Sequence, residues 1–405
     1  MKIILIQPPQ KKIDDDRMEY PLGLMYLSAI LKQGQHDVSI LDFSGGFHHD
    51  IPQADFYGFS TFTPAYSWCL QKRDEIAKKY PKAKFMAGGP HVSALPNECS
   101  SDWNAVIVGE GETAINDIIN GQSGIIYGNS MEIDKIPFPD YDNIDAYSYT
   151  RTINGQKTIS FLTSRGCSYS CAFCNSIVVG SRCKPRLRNP ELVKEEILYI
   201  RNKYSDISSY RIVDDLFVFN EQRVECMTKM LRPLNIQYRC NGRVNIFNDN
   251  IAKLLVSSGC DFISFGVESG SDDILCRMNK KQTANDTRKA VRSAKNAGLK
   301  VRCYLVVGFP GETWDTVKQT ISLMLETKPD DILIFATIPF PGTPLYHYPE
   351  RFGINWISKD FDNYLQIISN KGSNYLFSHS SATAEEIKKM RTYMIDKLVS
   401  IAWVK

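Results

Sequence analysis

Cys167, Cys171 and Cys174 stand in the run Ser164-Arg165-Gly166-Cys167-Ser168-Tyr169-Ser170-Cys171-Ala172-Phe173-Cys174. This C-x3-C-x2-C spacing supplies three thiolates from one short loop. Iron–sulfur clusters are held by cysteine thiolates, and a cubane takes four ligands. Three ligands leave one iron open, and an open metal position is where a substrate or cosubstrate binds, whereas structural metal sites are closed. The spacing predicts a chemically active 4Fe–4S cluster. The bland alternative is a zinc site, or three unrelated cysteines. Zinc usually takes two separated pairs; no second pair follows here, and no histidine lies between His91 and His347. Cys69, Cys99, Cys183, Cys226, Cys240, Cys260, Cys276 and Cys303 show no ligand spacing and read as small hydrophobes.

The elements that must position this loop can be read from pattern. The expected fold class is α/β: a doubly wound parallel sheet, then a partial barrel, then a small, mostly helical C-terminal region. Residues 1–130 alternate buried runs (Lys2–Ile6, Val38–Leu41, Phe56–Ser60, Lys84–Ala87, Ala105–Val108) with amphipathic stretches (Leu22–Lys32, Tyr66–Lys79). Strands alternating with helices imply a parallel sheet, whose ligands bind beyond the carboxyl ends of the strands. Only Phe43–Asp55 separates the second and third strands, and Gly45, Gly46 and Pro52 argue against a crossover helix there. Residues 131–155 read as a linker. Residues 156–345 repeat strand then helix about six times, with strands at Ile159–Thr163, Tyr210–Val213, Gln237–Cys240, Phe262–Gly266, Val301–Val307 and Ile332–Ile338. That is too few for the eightfold closed barrel, but active residues should still lie at the strands' C-terminal ends. In residues 346–405, Ala384–Val399 reads as a helix.

The cysteine loop resembles the signature of the radical S-adenosylmethionine superfamily, C-x3-C-x-aromatic-C, with Phe173 at the aromatic position. The resemblance implies an open, partial barrel in which the free iron chelates S-adenosylmethionine. One electron then cleaves it to methionine and a 5′-deoxyadenosyl radical, which removes hydrogen from an unactivated carbon. Candidate S-adenosylmethionine contacts lie at successive strand ends. Asp214 or Asp215 could accept the ammonium group, and Arg243 could pair with the carboxylate. Glu268 could hold the ribose hydroxyls. Gly308, Pro310 and Gly311 shape a turn that lets backbone approach a ligand. Beside each stands a structural alternative: a helix-entry acid pair, a surface salt bridge, a plain turn.

These strand ends, with Pro339–Pro344, together resemble the members of that superfamily that carry an N-terminal cobalamin-binding domain. Pro21–Leu24, Phe59–Thr63, Gly88–His91 and Val108–Glu112 carry the likeness into residues 1–130. It implies cobalamin contacts at Ser60, Thr61, Gly88, Gly89, Gly109 and Glu110, and methylation of an unactivated carbon through methylcobalamin. The D-x-H-x-x-G motif that supplies a histidine to cobalt is absent; His48 and His49 read as structural or solvated. Two other outcomes stay open. One is cyclisation, epimerisation or rearrangement with a degenerate cobalamin domain; the other is a non-catalytic iron–sulfur sensor. The basic run Arg182, Lys184, Arg186 and Arg188 could meet an anionic substrate or the cobalamin phosphate, and more simply reads as a solvated face.

The formal charge of +3 is too small to indicate nucleic acid or an anionic membrane. Eleven cysteines fit a reducing compartment, and Met1–Pro9 reads as a buried strand rather than a signal peptide. No apolar run approaches a membrane span. The expectation is a cytoplasmic enzyme acting on a small molecule or peptide, served by a reducing partner such as flavodoxin or ferredoxin.

Overall fold

Six strands form the N-terminal sheet: β1 (Lys2–Gln7), β2 (Asp37–Asp42), β3 (Phe56–Ser60), β4 (Lys84–Gly88), β5 (Ala105–Gly109) and β6 (Gly124–Gly128). All pair in parallel, in the order β2-β1-β3-β4-β5-β6. The computed structural model describes residues 1–10, 15–177, 185–365 and 376–404. Strand periodicity divides β1 between two layers. Ile3 and Leu5 pack with the helices α1 (Leu22–Gln33) and α5 (Gly111–Ile119). Ile4 and Ile6 pack with α2 (Tyr66–Lys79) and the short α3 (Pro90–Ala94) and α4 (Pro96–Cys99). In this strand order the chain reverses direction between β1 and β3, the place where such sheets bind ligands. The sequence reading missed β6, because its half-exposed edge carries a glycine at each end and no buried run.

The β2–β3 connection contains only a single turn at Ser44–Gly46, so the expected crossover helix is missing. Phe43, Ile51 and Ala54 of this connection pack on the α2 face. The α1/α5 face is untouched. Residues 131–155 are more ordered than a linker: three single turns bury Tyr141, Ala146 and Tyr149. They end in β7 (Thr152–Ile153), antiparallel to the start of β8 (Gln156–Phe161).

The barrel strands are β8, β11 (Ser209–Ile212), β12 (Gln237–Gly242), β13 (Cys260–Glu268), β14 (Lys300–Val307) and β15 (Asp331–Ala336), paired in parallel in that sequence. The short β9 (Ser164–Arg165) and β10 (Arg186–Leu187) pair with each other across the cysteine loop. Helices α6 (Pro190–Lys203), α7 (Glu221–Leu231), α8 (Asp249–Ser257), α9 (Asp272–Arg277), α10 (Ala284–Asn296) and α11 (Trp314–Thr327) run between the strands. Asn189 caps α6 as its type and the following proline predict, accepting the Glu191 N–H at 3.0 Å.

Beyond α12 (Pro344–His347), the expected C-terminal helix is the longest described element, and short strands accompany it. β16 (Ile354–Ile357) and β17 (Phe377–His379) form an antiparallel pair before α13 (Ala384–Leu398), and β18 (Trp403–Val404) joins the barrel sheet beside β15. These strands are too short to show a period. No helix among the described residues is long and apolar enough to cross a membrane.

Candidate active site

The cysteine loop leaves the top of β8 through β9. Gly166 N–H donates to Asp215 Oδ2 at 3.2 Å. Ala172 N–H reaches Met278 O at 2.9 Å, and Cys174 N–H reaches Cys171 O at 3.1 Å. Asn279 Nδ2 donates to Ser170 O at 2.9 Å. Cys171 is buried; Cys167 and Cys174 are half-buried. Burial pushes the Cys167 thiol up, and Cys174 and Cys171 add to it; burial also raises Cys174 against hydrogen bonds from Ser176. Burial thus favours the neutral thiol at Cys167 and Cys174, and a bound metal favours the thiolate, which suits a loop that binds an iron–sulfur cluster. Among the described residues no three His, Cys, Asp or Glu side chains converge on a single ion.

Other predicted residues surround the loop. The Arg243 guanidinium lies 3.6 Å over the Tyr169 ring, with Nη1 3.8 Å from Cys171 Sγ and Nη2 donating to Lys280 O. Glu268 makes a buried ion pair with Lys280 at 2.6 Å, and the Lys280 ammonium stands 5.8 Å from the Phe173 ring centre. Glu268 has φ +65° beside a register shift in the β13–β14 ladder. Non-glycine residues in this region concentrate at functional sites. Phe173 meets Phe309 edge-to-face at 6.4 Å, which ties the loop to the turn after β14.

The acid pair divides. Asp214 is fully buried, and accepts Thr163 N–H at 2.6 Å, Thr163 Oγ1–H at 2.5 Å and Ser164 Oγ–H at 2.6 Å. Its oxygens fix the β8–β9 backbone. Asp215 accepts the Gly166 N–H and faces the cleft described below; burial raises its carboxyl.

Gly308 has φ +79°, and a Cβ there would lie 2.4 Å from Ile387 Cγ2, so α13 closes directly on this turn. Pro310 and Gly311 complete it, with Gly311 against the Arg277 side chain. Glu312 folds back to accept the Gly308 N–H. Burial pushes its carboxyl up to about 8, against the Gly308 and Phe309 N–H groups that favour the anion. The folded chain holds this proton more tightly than the unfolded one. The resulting stabilisation is full below about pH 4.5 and is lost as the pH rises to about 8. The melting temperature of the wild type should therefore fall more steeply between about pH 6 and 8 than that of Glu312→Gln. Equal slopes would contradict the assignment.

A cleft opens between the N-terminal sheet and this loop, with ≈ 1180 Å³ of atom-free space including its mouth. Its floor is the C-terminal ends of β1, β3, β4 and β5; one wall is α1 and α5, and its rim is Leu162, Arg165, Ser176 and Asp215 from the barrel. Ser60, Gly88, Gly89, Gly109 and Glu110 all line it. Thr61 does not; it is buried behind the wall, with Oγ1 donating to Gly88 O at 2.8 Å. Gly89 has φ +106°, and a Cβ there would lie 2.6 Å from Thr61 O, so the chain leaving β4 passes close against Thr61 only as glycine. An apolar slot with a glycine-rich floor suits a large flat ligand that carries an extended tail. The missing β2–β3 helix lies on the opposite face and does not open this slot.

Gly23, singled out only as part of the Pro21–Leu24 run, and Leu27 and Arg165, which sequence reasoning missed, line the same cleft. The signal available for the first two was the run Leu22–Leu27, wider than one helix face needs. Arg165 pairs with Glu112 at 2.6 Å and lies 3.6 Å from Glu110, which also pairs with Arg186. Arg188 pairs with buried Glu196. Arg186 and Arg188 are thus held in ion pairs, not on a solvated face; Arg182 and Lys184 lie outside the described residues, as does Cys183. His49 is structural, with Nε2 2.7 Å from Asp42 O.

Residues 161–324 match the radical SAM superfamily, and residues 17–119 match the B12 binding domain. The chain is 30% identical to an uncharacterized methyltransferase of Pyrococcus horikoshii, over 86% of this chain and 83% of that one. It is 24% identical to the bacteriochlorophyllide d C-8(2)-methyltransferase of Chlorobaculum tepidum, over 91% and 85%. Its fold is similar to that of the radical S-adenosylmethionine methyltransferase TsrM from Kitasatospora setae, solved with cobalamin and a [4Fe–4S] cluster. The TM-score is 0.71 at 15% identity, covering 100% of this chain and 91% of that one.

Proposed function

The chain belongs to the radical S-adenosylmethionine superfamily, in the group with an N-terminal B12-binding domain, and from that premise we propose that it methylates an unactivated carbon with cobalamin as the methyl carrier. One observation carries this reading: the cleft of the B12-binding domain opens onto the rim of the cysteine loop, through Arg165, Ser176 and Asp215. When bound, the 4Fe–4S cluster supplies the electron that cleaves S-adenosylmethionine, and the corrin carries the methyl group; the protein's part is to position both. Cys167, Cys171 and Cys174 hold the cluster. Arg243 sets a positive charge beside Cys171. Asp215 is the better placed of the two acids for an ammonium group, since the oxygens of Asp214 are engaged by the backbone and by hydroxyls. Glu268, oriented by Lys280, offers an acceptor to ribose hydroxyls. Gly308, Pro310 and Gly311 hold backbone at the ligand's edge. Ser60, Gly88, Gly89 and Gly109 form the corrin-side floor, while Glu110 clamps the barrel arginines to the domain. The substrate is a small molecule or peptide and the electron comes from a partner such as flavodoxin or ferredoxin, in the cytoplasm.

Product analysis tests the reading. The reconstituted protein, given S-adenosylmethionine, reductant and cobalamin, should yield both S-adenosylhomocysteine and 5′-deoxyadenosine. 5′-Deoxyadenosine alone would favour cyclisation, epimerisation or rearrangement, and neither product would favour a sensor.

A further inference from the structure

The loop of residues 278–282, between α9 and α10, touches three parts of the site at once. Met278 O accepts the Ala172 N–H and Asn279 Nδ2 donates to Ser170 O, both on the cysteine loop. Lys280 O and Lys281 O accept from Arg243 and Asn245, just past β12. Lys280 Nζ and Gln282 Nε2 reach the end of β13. Asn279 has φ +54° and Lys281 φ +55°. Away from glycine this conformation is unfavourable; it persists where the surroundings over-determine it, and it concentrates at functional sites.

The end of β13 is irregular. Gly266 pairs with Tyr304 and Glu268 with Leu305, so one extra residue, Val267, stands on β13. Bulges of this kind re-aim a side chain and are frequent beside active sites. Glu268 then turns to φ +65°. Gln282 Nε2 donates to Gly266 O at 2.9 Å and to Val267 O at 3.1 Å, the two carbonyls of the irregular step. Two acceptors fix which end of this amide carries the nitrogen. The other end, Oε1, is buried without a hydrogen-bond partner. A buried unpaired acceptor lowers stability, so the gain from Gln282 lies in the backbone that its Nε2 holds. Lys280, two residues earlier, takes Glu268 Oε1 at 2.6 Å, with both side chains buried. Gly266 leaves room for that pair: a Cβ there would lie 2.5 Å from Glu268 Oε1 and 2.8 Å from Lys280 Nζ.

We propose that Gln282, with Lys280 and Gly266, presets Glu268 to receive the ribose hydroxyls of S-adenosylmethionine. Gln282 is a positioning residue and acts through Glu268. It holds the backbone step that aims the carboxylate, while Lys280 takes one carboxylate oxygen and leaves the other for the ligand. The same loop grips the cysteine loop and Arg243, so the ribose contact is set in register with the cluster loop. The inference rests on the reading of Glu268 as the ribose contact.

The test compares the binding of S-adenosylmethionine and of its 2′,3′-dideoxyribose analogue to the full, cluster-reconstituted chain. Wild type should prefer S-adenosylmethionine by about 10-fold or more, the worth of hydrogen bonds to a charged acceptor. In Gln282→Met, similar in length but without the donor, the preference should fall below about 3-fold while iron content is unchanged. A general loosening of the fold would weaken both ligands alike and leave the ratio as it was. Should Gln282→Met fail to take up iron, Gly266→Ala decides, since its Cβ displaces only the ends of two side chains: a collapsed preference supports the preset, and an undiminished one refutes it. Two outcomes keep the readings apart. Wild type that binds both ligands equally removes the ribose contact from Glu268, and this inference with it. Wild type that discriminates, beside a Gln282→Met that discriminates equally well, overturns the positioning role alone.

Discussion

Cys171→Ala should reduce bound iron from about four per chain to below about one and abolish 5′-deoxyadenosine formation. Cys171 is the buried member of the triad, with Arg243 Nη1 3.8 Å from its sulfur. Removing it leaves two thiolates from a half-buried loop, too few to retain a cubane that already has one open iron. The loop should survive the change. Its shape is set by backbone bonds at Gly166, Ala172 and Cys174 and by Asn279, none of which needs the Cys171 sulfur. Cys226→Ala, at an exposed position on α7 remote from the triad in sequence, is the control and should keep full iron. Iron content and product chromatography on the two variants decide the matter; an alanine variant that still holds four irons would remove the cluster from these residues.

Gly23→Phe should abolish corrinoid retention, by about 100-fold or more, while the chain keeps its iron. Filling a preformed slot removes the contacts on which a large ligand depends, and a loss of about 2.8 kcal/mol is already a hundredfold in affinity. Gly23 lines the cleft from the first turn of α1, and a Cβ there meets nothing within 4 Å. The backbone there thus accepts a side chain, a larger one takes up cleft space, and a glycine leaving a helix costs no stability. Gly89→Ala would be a poor substitute, since its Cβ would strike Thr61 O. Cobalt analysis after anaerobic purification with added cobalamin reads the outcome. Undiminished cobalt in Gly23→Phe would place the corrinoid elsewhere.

Much of this site is legible in the sequence because the chemistry fixes both residue type and spacing. The triad, Phe173 and the strand-end turn at Gly308 are of this kind. The N-terminal parallel sheet is legible because strands buried on both faces read as unbroken apolar runs; β1 and β5 are examples. What was not legible depends on partners distant in the chain. Asp214 and Asp215 are adjacent acids, yet Thr163 and Ser164 hold one while the other faces the cleft. Arg186 and Arg188 look like a charged surface until Glu110 and Glu196 are folded against them. Arg211 and Arg239 are single residues on separate strands, set opposite each other only by the register of β11 and β12. The strands β6, β16, β17 and β18 are too short, or too exposed, to carry a period.

The central claim is that one chain holds a cluster and a corrinoid against each other. Its most direct measurement is the cobalt and iron content of the wild-type protein, purified anaerobically from cobalamin-supplied cells and reconstituted, together with its visible spectrum. The account predicts about one cobalt and about four irons per chain, the latter from the cubane count. Four irons with no cobalt, even after added cobalamin, would contradict it and leave a radical enzyme whose first domain has lost its ligand.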